Sequence, residues 1–107
     1  LVFEVDTRKG AKIACTSTTA VQPGAWQHVA VTVGDGITLY VNGAPAGTAT
    51  LRGTPMPNAE PLVIARDATG TRSRPAAQPG GYVGALDDLR IWARPLSAGE
   101  IAELAKR

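Results

Sequence analysis

Apolar and polar positions alternate strictly in two runs, Val29-Ala30-Val31-Thr32-Val33 and Ile37-Thr38-Leu39-Tyr40-Val41, on either side of Gly34-Asp35-Gly36. Successive strand side chains point to opposite faces, so Val29, Val31 and Val33 share one face, as do Ile37, Leu39 and Val41. Reversal at residues that tolerate positive φ makes the pair a β-hairpin and predicts antiparallel sheet. Shorter apolar runs over 1–5 and 11–16, joined by a polar turn over 6–10, predict a first hairpin. A weaker strand over 46–51 follows the turn 42–45, where Pro45 indicates an edge or the entry to the next strand.

Farther along, Pro55, Pro57 and Pro61 punctuate residues 52–61, and the apolar run 62–65 is compatible with a buried strand. Residues 67–81 show no period and reach the upper length of an ordered loop, so they read as a functional or a mobile loop. Alternation resumes over 82–93, with Leu89 and Ile91 on one face and Asp88, Arg90 and Trp92 on the other. A phase break between Leu86 and Leu89 predicts a β-bulge.

The C-terminus changes period. Ser97 and Glu100 have the spacing of a capping box, and Leu96 and Ile101 stand where a hydrophobic staple needs them. A helix over 98–106 follows, with Ile101 and Leu104 placed to dock on the sheet and Lys106 and Arg107 near the negative end of its dipole. So short a helix is marginal alone and must be held by packing.

Composition narrows the class. A chain of 107 residues allows one domain, and 12 glycines with 8 prolines suit many turns and short strands. Eleven basic against nine acidic residues leave a charge of +2, too small to drive binding to nucleic acid or anionic lipid. The single Cys15 excludes an internal disulfide and reads as an inert thiol in a buried strand. No apolar run approaches the length of a membrane-spanning helix. The chain opens within a strand and without an initiator methionine, which reads as an excerpt or a processed product.

Five motifs in order, Trp26-x-His28-Val29-Ala30-Val31-Thr32, Leu39-Tyr40-Val41-Asn42-Gly43, Leu62-Val63-Ile64-Ala65-Arg66, Gly84-x-Leu86-Asp87-Asp88-Leu89-Arg90-Ile91-Trp92 and Arg94-Pro95-Leu96-Ser97-x-x-Glu100-Ile101, resemble the laminin G-like jelly roll. This is the concanavalin A-like lectin and glucanase fold. The resemblance implies an all-β, antiparallel jelly-roll β-sandwich with a short C-terminal α-helix. Domains of the family are usually longer, and residues 1–107 resemble their C-terminal two thirds, an incomplete domain lacking its N-terminal strands. Missing strands would leave an unpaired sheet edge and an exposed apolar face.

Catalytic chemistry finds little support. His28 is the only histidine, and no nucleophile motif accompanies it. Relatives that cleave β-glucans carry a Glu-x-Asp-x-x-Glu strand, whereas here Glu4-Val5-Asp6 is followed by Lys9 at the third position, so that carboxylate pair is not formed. The chain is expected not to be an enzyme. For a ligand the candidates are the rings of Tyr40 and Trp92, with Arg72 and Arg74 in the long loop as forks for acidic glycans. Tyr40 shares the less apolar hairpin face with His28, Ala30 and Thr32, which is either a concave binding surface or packs under another segment. Trp26 reads as a core ring. In related domains aspartate and carbonyl oxygens often hold calcium, and Asp87 matches the recurrent aspartate, so Ca2+ is the one cofactor implied.

The resemblance thus implies a non-catalytic recognition module for a glycan or protein surface, appended to a larger extracellular or cell-envelope protein. Its other partners would be a neighbouring domain or the missing strands of the parent chain, without nucleic acid or membrane insertion. A ligand-free spacer domain is the alternative, and a fragment of a glycoside-active enzyme with its carboxylates elsewhere is a second.

Overall fold

The computed structural model describes residues 1–59, 62, 64 and 82–107. They belong to two compact units, Leu1–Pro57 with Trp92–Arg107 and Asn58–Ile91. The first unit contains strands β1 (Val2–Asp6), β2 (Lys12–Thr16), β3 (Val29–Val33), β4 (Gly36–Val41) and β5 (Ala44–Thr50), followed by helix α1 (Ala98–Ala105). Two antiparallel sheets result, β1-β2 and β3-β4-β5. The fold is all-β with one short C-terminal helix, as the alternation predicts. The long loop expected over 67–81 lies outside the described residues.

The sheets meet through Cys15, Ile37 and Leu39, all buried, with Phe3, Val5, Ile13, Val33, Ala49 and Leu51 around them. Pairing Phe3 with Cys15 and Val5 with Ile13 brings the apolar residues of the first hairpin to one face. Each fully buried aliphatic side chain of this kind contributes about 1.5–3 kcal/mol. Cys15 is a packed thiol, in keeping with its sequence context.

Close approach of the layers depends on Gly47. A Cβ built there would lie 2.5 Å from the Thr16 carbonyl oxygen, so only glycine lets β2 and β5 come this near. The register of β4 and β5 shifts between Leu39 and Tyr40, leaving Ala46 as the extra residue of a bulge. Its carbonyl accepts hydrogen bonds from Thr18 N at 2.7 Å and Thr18 Oγ1 at 3.0 Å. The bulge therefore leaves no orphaned acceptor at this point. β5 begins at Ala44 and carries Pro45 on the sheet edge, where a missing N–H disrupts no ladder.

Four expectations about the strands need correction. Around the central hairpin, positive φ occurs in the β4–β5 turn, at Asn42 (51°) and Gly43 (82°), and not at Gly34 or Gly36. Gly34 and Gly36 instead allow contact, since a Cβ would meet Pro95 Cγ at 3.3 Å in one case and Ala49 O at 3.3 Å in the other. Ile37, Leu39 and Val41 are buried, but Val31 and Val29, the cross-strand partners of Leu39 and Val41, are 38% and 48% exposed, because β3 is the edge strand and the first hairpin covers β4. Residues 82–93 form no strand. Within the second unit Leu86 and Leu89 are exposed, and Asp88 has φ 54°, a turn conformation where the alternation predicts a ladder. Leu62 and Ile64, the described positions of the expected strand 62–65, are also exposed and outside any strand.

Helix α1 starts as its sequence predicts. Ser97 Oγ accepts from Glu100 N at 3.2 Å, and Glu100 Oε2 accepts from Ser97 N at 2.8 Å, a closed capping box. Leu96 and Ile101, the two staple residues, are both buried, in one cluster with Tyr40. Lys106 is the C-cap, and its ammonium pairs with Glu103 at 2.8 Å.

Candidate functional site

The hairpin face opposite the main core carries Ala30, on β3, and Tyr40, on β4, directly paired across the ladder. Leu96, Ile101 and Leu104 pack on them, and Tyr40 retains 6% of its exposure. The ring proposed as a ligand platform is thus the seat of the helix. Covering an amphipathic helix of two turns takes a large apolar partner, and Tyr40 is the largest side chain this face offers. Of the alternatives left open for this face, packing under another segment is the one realised.

At the entrance to β3 the arrangement is polar and tightly bonded. His28 N donates to Asn42 Oδ1 at 3.0 Å, while Asn42 N donates to His28 O at 2.7 Å. His28 Nδ1 is buried and has no hydrogen-bond partner among the described residues. Just before it, Gln22 N donates to Gln27 Oε1 at 2.8 Å, closing a loop in which Gly24 has φ 80°. Trp26 in this loop is 72% exposed. Its expected core role is therefore not met within the described residues.

Trp92 is 42% exposed, half available as a ring surface. Two residues on, Arg94 makes a two-bonded ion pair with Glu100, Nη2 to Oε1 at 2.7 Å and Nη1 to Oε2 at 3.0 Å. That guanidinium, aided by the Ser97 N–H, holds the Glu100 carboxyl well below its usual 4.5, at about 2. The carboxylate in turn raises the pKa of Arg94. Beside them an open cleft of about 460 Å³ runs along α1, lined by Leu96, Ser97, Glu100, Glu103, Leu104 and Arg107 among others.

In the second unit Tyr82 donates to Ala85 O at 3.3 Å. Asp88 N donates to Asp87 Oδ1 at 2.8 Å, and Asp88 Oδ1 pairs with Arg90 Nη2 at 3.1 Å. Asp87 thus braces a turn through this bond. Among the described residues no three His, Cys, Asp or Glu side chains cluster as a metal site. Arg72 and Arg74 lie outside the described residues. Of the candidates, Tyr40 and Trp92 belong to the first unit and Asp87 to the second.

A family model described as the concanavalin A-like lectin/glucanases superfamily matches residues 1–102. A crystal structure of an S-layer domain-containing protein (residues 221–444) from Clostridium thermocellum ATCC 27405 is similar at 34% identity and a TM-score of 0.70. That match covers 89% of this chain and 45% of the solved one, so the chain spans less than half of its length. No curated protein matches the chain. No helix among the described residues is long and apolar enough to cross a membrane.

Proposed function

Because this chain belongs to the concanavalin A-like lectin/glucanase superfamily, we propose that it is a non-catalytic recognition module, binding a glycan or a protein surface as part of a larger extracellular or envelope protein. The observation that carries this reading is the likeness to an S-layer domain-containing protein at 34% identity over 89% of the chain. A superfamily fold hosts many functions, so the likeness supports the class and the site must supply the ligand. Trp92 offers the half-exposed ring, Arg72 and Arg74 the anion forks, and Asp87 the oxygen for a calcium ion.

The same reading includes strands from outside these residues. Val29 and Val31 stand uncovered on a face whose β4 half is buried, and Trp26, close before them in the chain, is exposed as well. An uncharged edge strand with exposed valines is a template for strand addition. Further strands of the parent polypeptide are proposed to complete the sandwich there.

A glycan array on the parent domain, with and without calcium, tests the recognition reading. Binding lost in Trp92→Ala and in the double variant Arg72→Ala/Arg74→Ala is the expected result. Absence of binding in both conditions, with thermal stability unchanged by chelator, overturns glycan recognition and the calcium site together and leaves a spacer domain.

A further inference from the structure

We propose that Asn42-Gly43 is a spontaneous modification site, at which the asparagine amide cyclises on the Gly43 nitrogen. Four observations meet here. Asn42 is exposed, so water reaches its side chain. Gly43 has no Cβ to obstruct approach of its nitrogen to the adjacent carboxamide carbon. The Gly43 N–H donates to no backbone acceptor among the described residues, so its nitrogen is not tied into the ladder. Finally, His28 N–H donates to Asn42 Oδ1 across 3.0 Å, placed to stabilise the negative charge that develops on that oxygen as the carbon is attacked.

In the reaction the bond from Gly43 N to Asn42 Cγ forms and the Cγ–Nδ2 bond breaks. Ammonia leaves with the proton lost from the Gly43 amide, and a five-membered imide remains. Water then adds to one of the two imide carbonyls, giving aspartate if the side-chain bond is cut or isoaspartate if the main-chain bond is cut. No oxidant or reductant is needed.

The two products have different fates in this fold. Aspartate keeps an oxygen for the His28 N–H. Isoaspartate adds an atom to the main chain of a two-residue turn that has no slack. At Gly43 an added Cβ would already meet Ala105 Cβ at 3.0 Å and Ala102 Cα at 3.2 Å, so the lengthened turn displaces α1 from the hairpin.

Ageing the folded protein at mildly alkaline pH, followed by peptide mapping and isoaspartate-specific methylation, tests the proposal. The expected result is an amide-to-acid mass gain at Asn42, several-fold faster than at Asn58, with a lowered melting temperature confined to the isoaspartate fraction. Asn42→Gly, which suits the same turn, is expected to fold and to abolish the change. Conversion first at Asn58, conversion at Asn42 only after unfolding in urea, or an isoaspartate fraction that melts like the unaged protein overturns the proposal.

Discussion

The backbone of Gly47 lies against that of Thr16 so closely that a Cβ on Gly47 would sit 2.5 Å from the Thr16 carbonyl oxygen. The obstacle is main chain, which cannot rotate away as a side chain would. Gly47→Ala is therefore expected to destabilise the sandwich by about 1–3 kcal/mol, read as a lower urea midpoint at unchanged slope. A Gly47→Ala variant as stable as the parent would contradict this packing.

Asn42 holds the start of β3 through its side chain while its own backbone occupies a left-handed conformation. Asn42→Ala removes the acceptor for His28 N–H and strains the turn, with an expected loss of about 1–2 kcal/mol. Asn42→Gly relieves the strain and is expected to lose less. Equal stability of the two variants in urea titrations would reject the role of φ.

Tyr40 is expected to tolerate phenylalanine and not alanine. The ring supports Leu96 and Ile101, so Tyr40→Ala leaves a cavity under α1 that costs about 3–5 kcal/mol. Tyr40→Phe keeps the ring in place. Circular dichroism and thermal melts of both variants check the contrast, and helix content retained in the alanine variant would refute it.

The acid limb of stability depends on Glu100. Its carboxyl is held at about 2, below an unfolded value near 4.5, chiefly by Arg94 and then by the Ser97 N–H. A folded pKa depressed in this way stabilises the native state above the unfolded pKa, and the contribution disappears as pH falls through the window between 4.5 and about 2. Both groups face solvent, so salt weakens the effect. Arg94→Ala is expected to flatten that part of the pH–stability profile, and an unaltered profile would remove the ion pair from the account. Ser97→Ala opens the capping box and is expected to cost about 1 kcal/mol at neutral pH.

Residues 1–107 are expected to associate through the open side of β3. Val31→Lys places a charge on the exposed apolar face and lowers the association without loss of folding. Sedimentation velocity of both proteins measures this, and a parent chain that stays monomeric at every concentration would count against it.

Local signals account for what could be read along the chain. The alternation over 29–41 specifies β3, β4 and their common face, because a period of two has one geometric meaning in a strand. Ser97, Glu100, Leu96 and Ile101 specify the start of α1, because capping is settled within one turn. The match of the family model to residues 1–102 bears out the laminin G-like resemblance. Residues 82–93 show the limit of such reading, since apolar and polar positions alternate over 88–92 and yet no strand forms there. A ladder needs a partner, and pattern alone does not provide one.

The sequence by itself thus determined the hairpins, the capped helix and the superfamily, all of which rest on contacts between residues near in sequence or on an ordered set of motifs. Only the tertiary structure decided that Tyr40 serves the helix, that Trp26 stands exposed, that positive φ belongs to Asn42-Gly43 and that position 47 must be glycine. Each of these depends on which segment lies over which face. Burial is a property of the pair that packs, and one strand's pattern names its apolar face without naming what covers it.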